Sequence, residues 1–316
     1  MKKAIFFLLI MLSFSFVIGN VALASATSTK VPNRQIPHYL SENSLRYEEF
    51  QQRNPEMSFD VVVALVNANV DLGFYNEIQE VSNPHCILVL VNKNFALPRD
   101  IVYDDLVTAD EGRQIREVVA IHFGMMRNSA NAAGHAIYVS SGFRNFANQA
   151  ASYNRWVERS GVEVADRRSA RPGHSEHQTG LAYDFVYRRD LIGGHQDGSF
   201  AYTGIYSWLR ENAHRYGFIL RYPRGLEHIH GYIYEPWHWR FIGVADATRM
   251  FNESIETFEE YYGRYLNSRV QENLEFFATR FGNPAPAHYR FLISISEDES
   301  LPSETFHSNR LSWPVP

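Results

Sequence analysis

Two short segments of this chain put ionisable side chains where a folded core would want apolar ones. The first runs Pro172-Gly173-His174-Ser175-Glu176-His177-Gln178-Thr179-Gly180-Leu181-Ala182-Tyr183-Asp184, the second Tyr234-Glu235-Pro236-Trp237-His238-Trp239-Arg240. Together they supply His177, Asp184 and His238, the donor types of a hydrolytic zinc centre, which needs three protein ligands and an open fourth position for water. Glu235 stands three residues before His238, across a proline that interrupts any regular backbone ladder. It could therefore sit beside such a metal as a general base while His238 ligates. Spacing alone leaves the matter open. A strand aspartate also serves as a structural hydrogen-bond acceptor, a histidine as a satisfied polar residue, and the helical His-Glu-x-x-His motif is absent. The single cysteine, Cys86, excludes a Cys₄ or Cys₂His₂ site and any intramolecular disulfide.

The elements that must position these residues follow from hydrophobic periodicity. Leu181 to Tyr187 alternates as a strand, with Asp184 on the less bulky face. His135 to Ser141 and Trp239 to Gly243 read as further strands, and Cys86 to Val91 as a buried one. Asn145 caps a helix that Gly161 ends. A longer helix is expected from Thr108, which has capping-box spacing to Glu111, with Gly134 as its stop. Ile205 to Tyr216 reads as a helix closed by Gly217, and one or two short helices fall between Arg46 and Glu80. Thr257 and Glu260 box another helix running to about Phe281, followed by a strand from Tyr289 to Ile295. His228 and His230 would share one strand face. Helices and strands mix without a βαβ rhythm, which indicates an α+β fold: an antiparallel sheet with flanking helices and a zinc site in a cleft at the sheet.

The motifs resemble one family closely. Ser141-Gly142-Phe143-Arg144 with Gln149, then Gly173 to Gly180 with Asp184, then Gly217-Phe218-Ile219-Leu220-Arg221-Tyr222-Pro223 and Glu235-Pro236-Trp237-His238 are similar to the VanY-type D-alanyl-D-alanine carboxypeptidases. These are zinc peptidases of bacterial cell-wall metabolism, and the likeness covers roughly Arg46 to Tyr262. It implies one Zn²⁺ per chain held by His177, Asp184 and His238, with Glu235 as catalytic base acting on a metal-activated water. It also implies Arg144 near the substrate, and Ser175 and Gln149 around the bound peptide end. Arg144 would pair with the peptide's terminal carboxylate or stabilise charge on the scissile carbonyl. The implied activity is release of the C-terminal D-alanine from peptidoglycan stem peptides. The same site would suit an L,D-carboxypeptidase or a D,D-dipeptidase, and a non-catalytic wall-binding module is the reading from another class. A serine-type enzyme is excluded, because no Ser-x-x-Lys, Ser-Asp-Asn and Lys-Thr-Gly set exists. Bland readings apply elsewhere: His174 would line the cleft, Trp237 and Trp239 would dry it, and Tyr202, Tyr206 and Tyr232 would border it.

Composition sets the remaining bounds. The 316 residues are 45% hydrophobic, enough for a sizeable core, and 30 Lys plus Arg against 35 Asp plus Glu give a net charge of -5. With no long basic run, binding to nucleic acid or anionic membrane through the overall field is not expected, and nothing implies a protein partner. Met1-Lys2-Lys3, the apolar run to Gly19 and Ala22-Leu23-Ala24-Ser25-Ala26 read as an export signal. Left uncleaved, it would anchor the protein in a membrane; either way the protein is extracellular, in the wall or periplasmic. The expected division is a signal over 1–24, a polar linker over 25–45, a zinc peptidase domain over 46–265 (an N-terminal subregion 46–107 and a catalytic core 108–265), and an extension of unread role over 266–316.

Overall fold

In the computed structural model, which describes residues 36–194 and 198–266, Asp184 pairs with His238 across two adjacent antiparallel strands. The chain reaches that register as follows. Helices α1 (Ser44–Arg53) and α2 (Phe59–Asn67) precede a two-stranded parallel pair, β1 (Gln79–Glu80) and β2 (Phe95–Ala96). An antiparallel ribbon of β3 (Leu106–Thr108) and β4 (Gln114–Arg116) runs directly into α3 (Glu117–Ala132). Then come β5 (Tyr138–Ser141), α4 (Phe146–Ser160), α5 (Val162–Arg168), β6 (Ala182–Val186), α6 (Gly204–Asn212), β7 (Phe218–Leu220), α7 (Glu227–His230), β8 (His238–Phe241), α8 (Val244–Asn252) and α9 (Phe258–Tyr261). The main sheet has the order β5-β6-β8-β7, with every neighbour antiparallel, as the α+β expectation required.

Strand alternation sorts the side chains of this sheet by chemistry. Tyr183 and Phe185 of β6 and Trp239 and Phe241 of β8 enter one apolar core with Val119, Phe123 and Met126 of α3 and Ile205 and Leu209 of α6. Asp184, His238 and Arg240 hold the intervening positions and are buried as well. A second core joins Ile219, Ile242 and Met250 to Phe258 and Tyr261, and a third holds α1 and α2 together through Tyr47, Phe50, Val62 and Leu65. Gly263 passes so close to α2 that any side chain there would overlap the Ala64 carbonyl.

Several local expectations change. Cys86 to Val91 is mostly buried but is not a strand: its backbone turns, and the Ile87 and Val89 carbonyls each accept 2.8 Å hydrogen bonds from Arg240 in place of a neighbouring strand. The helix expected from Thr108 begins only at Glu117. Glu111, with φ of 53°, cannot cap it, and its carboxylate instead accepts the Val139 amide at 2.8 Å. His228 and His230 lie on the short helix α7, where His230 is buried and bonds the Pro223 carbonyl oxygen at 3.0 Å, so they form no strand pair. Within the 25–45 segment, Ile36 already packs on the α1/α2 core, the Leu40 amide donates to the Tyr47 hydroxyl, and α1 begins at Ser44. Asn145 does cap α4, accepting the Asn148 amide, and Thr257 caps α9. The signal segment, the later part of the helix expected to Phe281 and the strand from Tyr289 lie outside the described residues.

Candidate active site

His177 reaches the sheet from a single 3-10 turn, Glu176–Thr179, closed by Gly180 in the left-handed region at φ 66°. Its position is fixed twice. Its Nδ1 lies 2.7 Å from the Gly142 carbonyl oxygen, and its own carbonyl accepts the Arg144 amide at 3.0 Å. A Cβ at residue 142 would come within 2.5 Å of the Gln114 carbonyl oxygen, so only glycine lets this strand end pass close enough. A carbonyl can only accept, so Nδ1 carries a proton, and Nε2, 3.2 Å from Asp184 Oδ2, is the nitrogen that would be left for a metal.

His238 is oriented the opposite way round. Its Nε2 faces Glu176 Oε2 at 3.4 Å, while Nδ1 lies 3.1 Å from Asp184 Oδ1 and 3.9 Å from Glu235 Oε2. One donor atom each from His177, Asp184 and His238 therefore falls within 4.8 Å of the others, and all three residues are buried. The set fits zinc. Bonds of about 2.1 Å in a tetrahedron place ligand atoms ~3.4 Å apart, and each imidazole has its second nitrogen committed to an acceptor, as metal-bound histidines do. Glu235 is not one of the three converging donors and stands beside them, 3.9 Å from His238 Nδ1.

The local electrostatics follow from burial and crowding of charge. Burial alone would raise Asp184, but His177 and His238 hold its carboxyl well below the usual range. Burial raises Glu235 to about 8, helped by the Asp184 charge and opposed by His238 and Arg144. His177 is lowered by burial and by the Arg144 cation.

The trio forms the floor of a cleft of about 630 Å³, which Arg144, Ser175, Glu235, Tyr222, Tyr232 and Trp237 also line. Arg144 donates from Nε to Gln149 Oε1 at 3.0 Å and from Nη1 to the Ser141 hydroxyl at 3.3 Å. Its Nη2 has no partner among the described residues. Ser175 likewise makes no side-chain hydrogen bond there, so its hydroxyl is available to a ligand. Gln149 departs from the expectation of substrate contact: it is fully buried, it does not line the cleft, and its amide donates to the Ala170 carbonyl at 2.7 Å. Its side chain aims Arg144. Gln149→Ala should accordingly raise KM about tenfold, the value of one hydrogen bond to a charged group. Steady-state kinetics checks this, and an unchanged KM would mean that Arg144 holds its place unaided.

Other expectations resolve plainly. His174 does not line the cleft; its Nδ1 lies 2.8 Å from the Asn92 carbonyl and its ring meets Tyr75 edge-on. Trp237 lines the cleft, but Trp239 points into the apolar core. Of the three tyrosines only Tyr232 borders the cleft, while the Tyr206 hydroxyl accepts from Tyr234 and Tyr202 is 84% exposed.

Sequence reasoning missed Glu176. Its Oε1 accepts from Arg221 Nε at 2.7 Å and Arg240 Nη1 at 2.8 Å, and Arg221 pairs in turn with both oxygens of Glu259 at 2.9 and 2.7 Å. All four side chains have 0% exposure. Two cations balance two anions, and Glu176 still has an oxygen left for His238. The signal lay in the sequence only as two arginines inside otherwise apolar runs at Arg221 and Arg240.

Residues 112–244 match the VanY family, described as D-alanyl-D-alanine carboxypeptidase. YodJ of Bacillus subtilis (strain 168), a carboxypeptidase by name, is 36% identical over 209 residues, covering 61% of this chain and 76% of YodJ. The chain belongs to the VanY family. As a VanY-family protein it is a hydrolase of the carboxypeptidase type, and its relatives differ in the cut they are named for. VanXYC of Enterococcus gallinarum, named a bifunctional D-Ala-D-Ala dipeptidase and carboxypeptidase, is 30% identical over 192 residues, covering 58% of this chain and 97% of that protein. Among solved structures, the LdcB LD-carboxypeptidase superposes with a TM-score of 0.55 at 34% identity, covering 59% of this chain and 90% of LdcB.

Proposed function

We propose that this protein is an exported zinc carboxypeptidase that removes the C-terminal D-alanine from peptidoglycan stem peptides, with one zinc held by His177, Asp184 and His238. The observation that carries the reading is the placement of Glu235 beside that donor trio, with the Arg144 cation on the same cleft. Zinc, when bound, supplies a Lewis acid that acidifies water and polarises the scissile carbonyl. Glu235 takes a proton at its carboxylate and returns it to the leaving amine. Arg144, fixed through Nε and Nη1, offers Nη2 to the free carboxylate that marks an exopeptidase substrate. Tyr222, whose ring centroid is 4.8 Å from that of His238, and Trp237 exclude water from the metal side of the cleft. Export rests on the cationic and apolar start of the sequence.

The test is mass spectrometry of products from a synthetic stem pentapeptide and tetrapeptide incubated with zinc-loaded protein. Loss of one D-alanine from the pentapeptide alone is expected. Cleavage of the tetrapeptide instead would keep the chemistry and move the specificity to L,D, which the likeness to LdcB makes the second reading. Release of a dipeptide would make the protein a D,D-dipeptidase. No product from either would overturn the assignment and favour a wall-binding module.

A further inference from the structure

The cleft is lined by more positive charge than a single terminal carboxylate needs. Besides Arg144, it is bordered by Arg113, Arg155, Arg159 and Arg168, against which its carboxylates are Asp184 and Glu235, both committed to the metal site. None of these four arginines has an ion-pair partner among the described residues. Such a concentration is unusual on a chain whose net charge is -5.

Placement adds to this. Arg155 and Arg159 are one turn apart on α4, a like-charge spacing that destabilises a helix, and Glu158 of the same helix makes no ion pair with either among the described residues. Arg159 and Arg168 both stack on Trp156, at 5.7 and 5.3 Å from the ring centroid, which holds two guanidiniums in place without neutralising them. The Nε of Arg113 is buried with no hydrogen-bond partner, so a polar group is left unsatisfied at the edge of the same cleft. Of the two acids on α5, Asp166 is taken by Arg171 and Tyr153, and Glu163 forms no ion pair among the described residues.

We infer that the substrate carries a second carboxylate besides its C-terminal one, and that Arg155, Arg159 and Arg168 with Arg113 form the subsite that reads it. An exopeptidase leaves only the departing residue beyond the scissile bond. The second carboxylate must therefore lie on the peptide segment N-terminal to that bond. The inference rests on the carboxypeptidase reading and adds to it the charge state of the preferred peptide. A peptide whose internal carboxylate has been converted to a carboxamide becomes the poorer substrate.

The experiment compares two synthetic stem pentapeptides, one with the free α-carboxylate on its γ-linked glutamate and one with the carboxamide there. Wild-type kcat/KM should favour the carboxylate peptide about tenfold at ~0.05 M salt, as expected for a charge-assisted contact, and the preference should shrink by ~0.5 M. The Arg155→Gln/Arg159→Gln double variant should bring the two peptides within about twofold, with the loss in KM. Wild-type enzyme that treats both alike at low salt would overturn the inference. Titration calorimetry of both peptides on the Glu235→Ala protein repeats the comparison without turnover. A failure of cleavage would then sink the carboxypeptidase reading alone, while equal binding of the two peptides would sink this one.

Discussion

Glu235→Ala should lower turnover by about 10²- to 10⁴-fold, the usual contribution of a positioned proton-transfer group, while the protein still loads zinc. Both halves of that expectation follow from the placement of Glu235. Its Oε2 stands 3.9 Å from His238 Nδ1, but it is not one of the three donors that converge, so its removal should take away a proton carrier and no ligand. Metal content by atomic absorption and initial rates on the same preparation check both. A variant with near-normal rate would mean that another group moves the proton; a variant without zinc would make Glu235 a ligand. The metal-free protein offers a further check on sign. Burial holds Glu235 protonated up to about 8, and His238 reaches about 9 because its hydrogen bonds to Asp184 and Glu176 outweigh burial. At pH 7 both groups carry protons that a divalent cation disfavours. Zinc added to the metal-free protein should therefore release protons into a weakly buffered indicator solution, and Glu235→Ala should release fewer.

What could be read in the sequence was whatever a few neighbouring residues decide. Alternation over Leu181 to Tyr187 put Asp184 on the face opposite Tyr183 and Phe185, and the chain could hardly do otherwise while burying two aromatic rings. Asn145 caps α4 because its side chain is the acceptor type that a helix start needs. The failures share a cause. Thr108 and Glu111 have the spacing of a capping box, but Thr108 pairs with Gln114 in the ribbon β3–β4, and the Val139 amide, 28 positions on, claims Glu111. Cys86 to Val91 has the composition of a strand, yet its carbonyls are satisfied by a guanidinium some 150 residues away at Arg240. Glu176 was unreadable for the same reason, since its partners lie 45 and 64 positions later. The converging donor trio was legible from its motifs; what orients it was not.

Glu176→Gln is the sharper test of that orientation, and zinc affinity is expected to fall about 10- to 100-fold, as when a partner behind a ligating histidine is lost. Glutamine keeps the shape and one acceptor oxygen but removes the charge that Arg221, Arg240 and His238 share. Stability should fall too, by about 3 kcal/mol, the lower end of the cost of breaking a buried ion pair. The pH sign is set by direction: burial would raise the Glu176 carboxyl, but Arg221 and Arg240 hold it well below the usual carboxylate range. Its contribution is then complete above the unfolded value of about 4.3 and disappears only as pH falls through the lower folded value. Wild type and variant should differ fully at pH 6 in thermal denaturation and converge in strong acid. A lower melting temperature alone would not show that Glu176 orients a ligand, and Glu259→Gln supplies the contrast. Glu259 pairs with the same Arg221 and is equally buried, but its other partner is Asn92 rather than His238. That variant should lose similar stability and keep its zinc affinity. The difference in zinc affinity between the two variants is the contribution of the Glu176 contact to His238, and equal affinities would mean that the network supports the fold without orienting the metal site.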